Sequence, residues 1–202
     1  MTSDQAMSLE SIPERTIVLG GGVIGVEFAS MLASFGSQVT VVEALDRLVP
    51  AEEPALSTQL QRAYRKRGID VRTSVSVAGV TEHEDRVVVE IEGGDPLEAE
   101  LLLVAVGRGP RTEGIGLEEV GVETDRGFVV TDERCATSVP GVLAVGDIVP
   151  GLQLAHRGFA QGIFAAEEIA GLEPQPIQDS QVPRVTYSDP EVASVGLTSE
   201  QD

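Results

Sequence analysis

Residues 16–43 read TIVLGGGVIGVEFASMLASFGSQVTVVE, and this segment carries the clearest secondary-structure pattern of the chain. Thr16 to Leu19 is a short run of β-branched and aliphatic residues, which is typical of a strand that is buried on both faces. Val23 to Phe35 contains good helix formers and no proline, and Gln38 to Val42 returns as a second apolar strand. Two strands joined through a helix are predicted to run parallel. The stretch therefore indicates an α/β protein built on a parallel sheet.

Three glycines occupy the turn between the first strand and the helix. Gly20, Gly22 and Gly25 form the pattern G-x-G-x-x-G, whose glycines serve a tight turn, the close approach of a pyrophosphate, and the packing of helix on sheet. Unpaired N–H groups and the positive end of the helix dipole lie near Gly22, so an anion is the expected occupant. With a strand before it and a helix after it, the pattern predicts a dinucleotide site in a Rossmann-like sheet.

An acidic residue ends the second strand. Glu43 comes 18 residues after Gly25, close to the separation at which a carboxylate accepts both hydroxyls of an adenosine ribose. The same charge opposes a 2′-phosphate, because unit charges about 4 Å apart repel by roughly 4 kcal/mol at an effective dielectric constant near 20. The sequence therefore favours NAD over NADP. Arg47 is the one basic residue just after this strand, and the alternative in which it reads a 2′-phosphate stays open.

The composition narrows the classes of partner. A formal net charge of −19 argues against nucleic acid or an anionic membrane surface. No apolar run is long enough for a membrane span and the acidic N-terminal segment does not resemble a secretory signal, so a cytoplasmic protein is expected. Cys135 is the only cysteine, and His83 lies among acidic residues at a polar tip. Neither an intrachain dithiol nor a metal site is therefore expected.

The remaining pattern continues the α/β order and then departs from it. A helix is predicted from about Glu52 to Arg67, followed by a third parallel strand. Alternating runs then predict an inserted β-meander, after which a buried strand resumes the sheet and ends at Gly107. Later segments predict short strands, a helix with one apolar side, and a proline-rich linker. The predicted ranges are Ile69–Arg72 for the third strand; Val75–Val80 and Arg86–Ile91 for the meander; Leu101–Val106, Phe128–Thr131, Val142–Val145, Arg184–Tyr187 and Val192–Leu197 for further strands; and Leu154–Gly171 for the helix, with Ala155, Phe159, Gly162, Ile163, Ala166 and Ile169 on its apolar side.

Six segments together resemble the two-dinucleotide flavoprotein disulfide reductases, and within them the dihydrolipoamide dehydrogenases. They are GGGVIGVEFAS at 20–30, VTVVEALDRLVP at 39–50, LLVAVGRGP at 102–110, GVLAVGD at 141–147, LAH at 154–156 and VPRVTYSDPEVASVG at 182–196. They occur in the family's order and cover nearly the whole chain. An ordered set of this kind is far more specific than any one motif.

The resemblance implies a division into domains. Residues 1–11 form a lead-in, 12–107 an NAD-binding domain, 108–172 the segment that returns to an FAD domain, 173–181 a linker, and 182–202 the start of a dimerisation domain. The implied fold is a Rossmann-like parallel sheet with an inserted meander, followed by a partial FAD-domain segment and the first strands of a dimerisation domain. The chain is thereby expected to be an internal fragment of such an enzyme.

The resemblance also implies residues that bind two cofactors, NAD and FAD. The NAD pyrophosphate is expected at the glycine turn and its adenosine ribose at Glu43; the nicotinamide and flavin are expected close to Glu27. Asp147 is expected to hydrogen-bond the FAD ribityl chain, and residues 153–156 to direct a helix N-terminus at the flavin ring. The full set is Gly20, Gly21, Gly22, Val23, Ile24, Gly25, Glu27, Glu43, Val77, Gly107, Asp147, Gln153, Leu154, Ala155 and His156, with no catalytic residue and no metal ligand among them. Gln161 stands where the family usually has glutamate.

The implied activity is hydride transfer between flavin and NAD during oxidation of protein-bound dihydrolipoamide, by a homodimer within a 2-oxo acid dehydrogenase complex. The family's N-terminal FAD fingerprint, redox-active cysteine pair and C-terminal His-Glu dyad are not found in this sequence. The chain alone is therefore expected to be inactive, to bind NAD(H) weakly and to retain little FAD. Two alternatives stay open: another reductase of the family, such as a glutathione or mercuric reductase, and a non-catalytic nucleotide-binding module whose partner chain supplies the missing parts.

Overall fold

A computed structural model describes residues 1–201 as two compact units. One unit is Met1–Gly107 together with the chain from Val185 onward, and the other is Arg108–Arg184. The helices are α1 (Ser3–Ala6), α2 (Val23–Ser34), α3 (Pro54–Lys66) and α4 (Ala155–Ile169). The strands are β1 (Arg15–Leu19), β2 (Gln38–Val42), β3 (Asp70–Arg72), β4 (Val77–Glu82), β5 (Val87–Ile91), β6 (Leu97–Ala99), β7 (Leu101–Val104), β8 (Thr124–Asp125), β9 (Phe128–Val129), β10 (Arg184–Thr186) and β11 (Val192–Ser194).

A four-stranded parallel sheet organises the first unit. Its strand order is β3-β2-β1-β7, and β1 pairs in parallel with both β2 and β7. Val18 and Val41 face one side and join a core with α2 and α3, whereas Ile17 and Val42 face the other side and join a second core. Burial on both faces explains why these strands read as continuous apolar runs. The predicted parallel α/β sheet is confirmed.

The inserted meander covers the second face of this sheet. Strands β4, β5 and β6 pair antiparallel in that order, which confirms the meander. Val87, Val89 and Ala99 of this layer pack in the same core as Ile17 and Val42. Strand β6 was not predicted, because its three residues follow a Gly-Gly-Asp-Pro turn and are too short to show an alternating pattern.

Helix α3 begins and ends close to the predicted positions. Pro54 is its first residue, where the missing N–H of proline costs no hydrogen bond. Arg65 and Lys66 lie in its last turn, where their charges complement the helix dipole. Its buried positions are Ser57, Leu60 and Tyr64, spaced as expected for one face of a helix.

The second unit contains less regular structure than predicted. Strand β9 covers only the first two residues of the predicted Phe128–Thr131 strand and pairs with β8. The predicted strand at 142–145 is wrong: the sole bridge there among the described residues joins Leu143 to Ala136, and Val142 is exposed. A strand needs a neighbour along its whole length to satisfy its backbone groups, and one bridge does not supply it.

Helix α4 packs with a different side from the one predicted. Arg157, Gln161, Phe164 and Ala165 are its buried residues. The predicted apolar side is open instead, with Phe159 and Ile163 exposed by 74% and 63%. Arg157 and Gln161 can occupy the buried side because both have hydrogen-bonding partners within the unit, although the Nη1 of Arg157 has none among the described residues.

The final described segment packs against α2 and α3. Strands β10 and β11 form a two-stranded sheet, and Val192 joins the core of the first unit. The Arg67 guanidinium donates to the carbonyl oxygen of Asp189 at 2.7 Å and to the hydroxyl of Ser30 at 2.7 Å. The amide of Asp189 donates to that same hydroxyl at 2.9 Å. Ser30 is thus the common acceptor that holds the segment on α2.

No helix in residues 1–201 combines the length and the apolar character needed to cross a membrane.

Candidate dinucleotide-binding site

The glycine turn lies at the carboxyl end of β1. Gly20 has a φ of +112°, which only glycine adopts readily, and a Cβ there would collide with the carbonyl oxygen of Ala105 after β7. A Cβ at Gly25 would collide with the carbonyl oxygen of Gly20. The first glycine therefore forms the turn beside the neighbouring strand, and the last one lets α2 approach β1.

Backbone N–H groups at the start of α2 make no hydrogen bond within the described chain. Gly22 is the N-cap, and its carbonyl oxygen accepts the amide of Val26 at 3.0 Å. No acceptor among residues 1–201 is bonded to the amides of Gly22, Val23 or Ile24. A Cβ at Gly22 would stand in open space, with no atom within 4 Å. These amides, with the helix dipole behind them, form a cradle for an anion.

Glu43 is fixed at the edge of this cradle in a way that the sequence did not indicate. One carboxylate oxygen accepts a short hydrogen bond from the amide of Gly21, and the other accepts the amide of Leu45 at 2.7 Å. The side chain is buried, with 8% of the residue exposed. The Gly21 amide is therefore occupied by the chain's own carboxylate, whereas the resemblance implies that Gly21 lies at the NAD pyrophosphate. The free amides of the turn are those of the cradle, at Gly22, Val23 and Ile24.

Glu43 keeps acceptor capacity despite these two bonds. Each carboxylate oxygen has two lone-pair directions, and each uses one of them on an amide. The two amides also balance the negative charge, which lowers the cost of burying it. The carboxylate is therefore held in one orientation at the end of β2, with capacity left for hydroxyl donors.

Glu27 lies about one turn beyond the cradle, on the same helix. Its carboxylate accepts the amide of Tyr187 at 2.7 Å, so it ties the final described segment to α2. Sequence reasoning missed Tyr64, whose hydroxyl donates to the carbonyl oxygen of Val26 at 2.6 Å. Burial raises the pKa of Tyr64 to about 12. The hydroxyl of Tyr64 thereby holds the first turns of α2 against α3. In the sequence, only the position of Tyr64 on the buried face of α3 pointed to this contact.

Two further predicted NAD-site residues lie in the first unit. Val77 begins β4 and packs, half-buried, against the core that contains Ile17 and Val42. Gly107 follows β7, is exposed, and has a φ of +147° that disfavours other residues. Neither residue makes a polar side-chain contribution, so each can shape a site only through its backbone or its surface.

Asp147 lies in the second unit, on a single 3₁₀ turn. The turn covers Gly146–Ile148, and the side chain of Asp147 is exposed. Buried Gln161 accepts the amide of Gly146 at 2.8 Å, and Gln153 donates to the carbonyl oxygen of Asp147 at 3.3 Å. A neutral amide at position 161 therefore holds the turn that presents Asp147.

The residues predicted to direct a helix N-terminus do begin α4. Leu154 is its N-cap in an extended conformation and Ala155 is the first helical residue. His156 is exposed and its Nε2 is 2.8 Å from the carbonyl oxygen of Pro183. The ring is therefore held by the chain beyond the helix. Cys135, also in this unit, is buried, and burial raises the pKa of its thiol.

The described residues bring together no group of three or more histidine, cysteine and acidic side chains that could hold a metal ion.

The parallel sheet, its glycine turn and the inserted meander define a Rossmann-like α/β fold. Residues 1–162 match the family described as pyridine nucleotide-disulphide oxidoreductase. The chain belongs to this family.

Curated relatives match this chain along nearly its whole length. It is 46% identical over 204 residues to a dihydrolipoyl dehydrogenase of Chlorobaculum tepidum, covering 99% of this chain and 44% of the relative. It is 41% identical over 206 residues to a dihydrolipoyl dehydrogenase of Bacillus subtilis, covering 100% of this chain and 44% of the relative. The chain thus spans less than half the length of the curated relatives it matches.

Solved structures also match this chain over nearly its whole length. The HOCl-induced flavoprotein disulfide reductase RclA of Escherichia coli matches with a TM-score of 0.90 and 32% identity, over 100% of this chain and 46% of that chain. LpdA of Mycobacterium tuberculosis matches with a TM-score of 0.91 and 32% identity, over 98% of this chain and 43% of that chain. The relatives and structural neighbours therefore support the assignment of this chain to the flavoprotein disulfide reductases.

Proposed function

We propose that this chain is the NAD(H)-binding portion, and part of the FAD-binding portion, of a dihydrolipoyl dehydrogenase-type enzyme. In that enzyme hydride passes between flavin and NAD while protein-bound dihydrolipoamide is oxidised. The observation that carries the proposal is the cradle beside a fixed carboxylate: the free amides of Gly22, Val23 and Ile24, next to Glu43. The names of the curated relatives support the choice of reaction.

The cradle fits a dinucleotide pyrophosphate. The three amides supply hydrogen-bond donors, and the absence of a side chain at Gly22 leaves the space in which phosphate oxygens would approach them. Glu43 would accept the adenosine ribose hydroxyls with the lone pairs that Gly21 and Leu45 leave unused. The charge of Glu43 also favours a free 2′-hydroxyl over a 2′-phosphate, so we propose NAD rather than NADP.

The second unit offers residues that fit FAD. Exposed Asp147 would accept ribityl hydroxyls, and the start of α4 would face the flavin with the positive end of its dipole. When bound, FAD supplies the two-electron carrier between the substrate dithiol and NAD. The chain's own residues would hold and orient the two cofactors. Gln161 keeps the turn that carries Asp147 in place, and Glu43 would bind the adenosine ribose of NAD. Glu27 would lie near the nicotinamide.

The proposal extends to the behaviour of the isolated chain. Cys135 is its only cysteine and is buried, so the chain cannot form the intrachain disulfide that dihydrolipoamide oxidation needs. We expect NADH binding without turnover. The parent enzyme would be a homodimer that serves a 2-oxo acid dehydrogenase complex.

Calorimetric titration of the purified chain with NADH and with NADPH tests the cofactor assignment. We expect NADH to bind at least tenfold more tightly, since the repulsion between Glu43 and a 2′-phosphate is worth up to roughly 4 kcal/mol. Glu43→Gln keeps the shape of the side chain and removes the charge, so it should weaken NADH binding and narrow the preference. Glu82→Gln, an exposed position in the meander, is the matched control for loss of one negative charge.

Three outcomes would count against the proposal. Tighter binding of NADPH would reject NAD as the cofactor. Absence of binding to either nucleotide would reject the cradle as a dinucleotide site. Dihydrolipoamide turnover by the isolated chain would show that the missing dithiol is not needed. It would reject the proposal that this chain is only the cofactor-binding portion of the enzyme.

A further inference from the structure

The loop after β2 carries one arginine and is fastened at both ends to residues beside the cradle. At its start, the amide of Leu45 donates to Glu43; at its end, the amide of Val49 donates to the carbonyl oxygen of Gly21 at 2.7 Å. Arg47 lies between these two anchors. Its backbone is therefore held beside the carboxylate that is proposed to bind the ribose.

The Arg47 side chain is turned onto the last described residues. Its Nη2 donates to Glu200 at 2.6 Å and its Nη1 donates to the other carboxylate oxygen at 3.4 Å. Nη2 also lies 3.4 Å from the carbonyl oxygen of Pro50. Its Nε is buried and bonded to no atom of residues 1–201. The pair therefore occupies one edge of the guanidinium and leaves the rest without a full set of acceptors.

Segments around Glu200 hold it in this position. The amide and hydroxyl of Ser199 both donate to Glu53, the N-cap of α3. These bonds lower the pKa of the Glu53 carboxyl. The Glu200 side chain itself stays half exposed, at 53% against 25% for Arg47. The final described segment therefore delivers a carboxylate to the only cation of the loop.

We propose that Glu200 is a specificity-determining residue that acts through Arg47. By neutralising and diverting the one arginine beside the ribose site, it removes the charge that could accept a 2′-phosphate. Glu43 repels that phosphate directly, and Glu200 withholds the cation that would offset the repulsion. This inference rests on the proposed function of the cradle as an NAD site.

A double-mutant cycle on the full chain tests the coupling. Glu200→Gln should tighten NADPH binding about two- to fivefold, the range expected for one partly exposed ion pair, and should change NADH binding less than twofold. In the Arg47→Gln background the same change should leave NADPH binding unaltered. Glu191→Gln removes a negative charge from an exposed position of the same segment and serves as the control. The effect should shrink as salt is added.

The outcomes separate this inference from the proposal on which it rests. If the unaltered chain binds no NADH, the proposed function fails first. If NADH binds but Glu200→Gln improves NADPH equally with and without Arg47, the effect is a general loss of negative charge and the inference is wrong. If Glu200→Gln leaves the NADPH-to-NADH ratio at the value of the unaltered chain, Arg47 does not reach the phosphate and the inference is also wrong.

Discussion

Two glycine-to-alanine substitutions in the same turn should separate folding from binding. At Gly25, a Cβ would lie 3.0 Å from the carbonyl carbon of Gly20 and closer still to its oxygen. The obstacle is backbone and cannot rotate away, so the overpacking cost should fall near the upper end of the usual range, about 3 kcal/mol. Alanine in a helix recovers about 1 kcal/mol of that. Gly25→Ala should therefore lose about 2 kcal/mol of stability and roughly 4–8 °C in Tm.

At Gly22 the same substitution should leave the fold intact. The residue has a φ of −72° and a ψ of −179°, an extended conformation that alanine adopts without strain. Alanine is a poorer N-cap than glycine by about 0.5–1 kcal/mol, but it reduces the entropy of the unfolded chain by a similar amount. The new methyl group would stand where phosphate oxygens approach. Losing one charge-assisted bond costs about 1.5–3 kcal/mol, or roughly 10- to 150-fold in Kd.

Circular dichroism melts and NADH titrations measure the two effects separately. The sequence has no tryptophan, so fluorescence of the bound dihydronicotinamide is read without interference from an indole. Gly162→Ala is the matched control, since a Cβ there meets no atom within 4 Å and the position lies on α4. It should not change the Kd for NADH. Unchanged NADH affinity in Gly22→Ala would refute the cradle, and unchanged stability in Gly25→Ala would refute the packing argument.

Two ionisable side chains should give distinct pH signatures in unfolding experiments monitored by circular dichroism. Tyr64→Phe should cost about 1 kcal/mol at neutral pH through its lost hydrogen bond. The pKa of Tyr64 is about 12 in the folded protein and about 10 in an unfolded chain, so stability should fall as pH rises through that interval. Tyr64→Phe should remove this loss of stability. Tyr187→Phe, which changes an exposed side chain, should leave the loss unchanged. The guanidinium of Arg134 lowers the pKa of the Glu168 carboxyl, so its stabilisation is present above the ordinary value of 4.5 and fades as pH falls through the lower folded pKa. Glu168→Gln should flatten this acid limb, and an unchanged limb would show that the pair adds no stability.

Local signals in the sequence sufficed for the parallel sheet. The glycine turn, the helix after it and the apolar strands on either side each constrain the chain over a few residues, and all of them point to the same topology. The bounds of α2 and α3 follow from caps and proline rather than from distant contacts. The free amides at the start of α2 were predicted in the same way, because they are a property of the helix end itself.

Contacts between segments that are distant in the sequence could not be predicted from local sequence patterns. The bond between Glu43 and the Gly21 amide joins the ends of two strands, and no pattern within either segment encodes it. Helix α4 shows the same limit, because periodicity identifies an apolar side but not which side meets the rest of the unit. Its buried side carries Arg157, which is held by Asp179 at 2.6 Å and by the carbonyl oxygen of Pro150 at 2.9 Å. Burial of Arg157 therefore depends on partners outside the helix, which the helical pattern does not encode.

The fixed Glu43 strengthens the case for the cradle rather than weakening it. A carboxylate that had to turn toward the ribose on binding would lose side-chain entropy at that moment, and affinity would fall accordingly. Here the amides of Gly21 and Leu45 have already oriented it, so that cost falls on folding. The same arrangement couples the two parts of the proposed site, since Gly21 belongs to the glycine turn and Glu43 follows β2. Moving either one should therefore displace the other, so the bond ties the acid to the glycine turn although a whole helix separates them in the sequence.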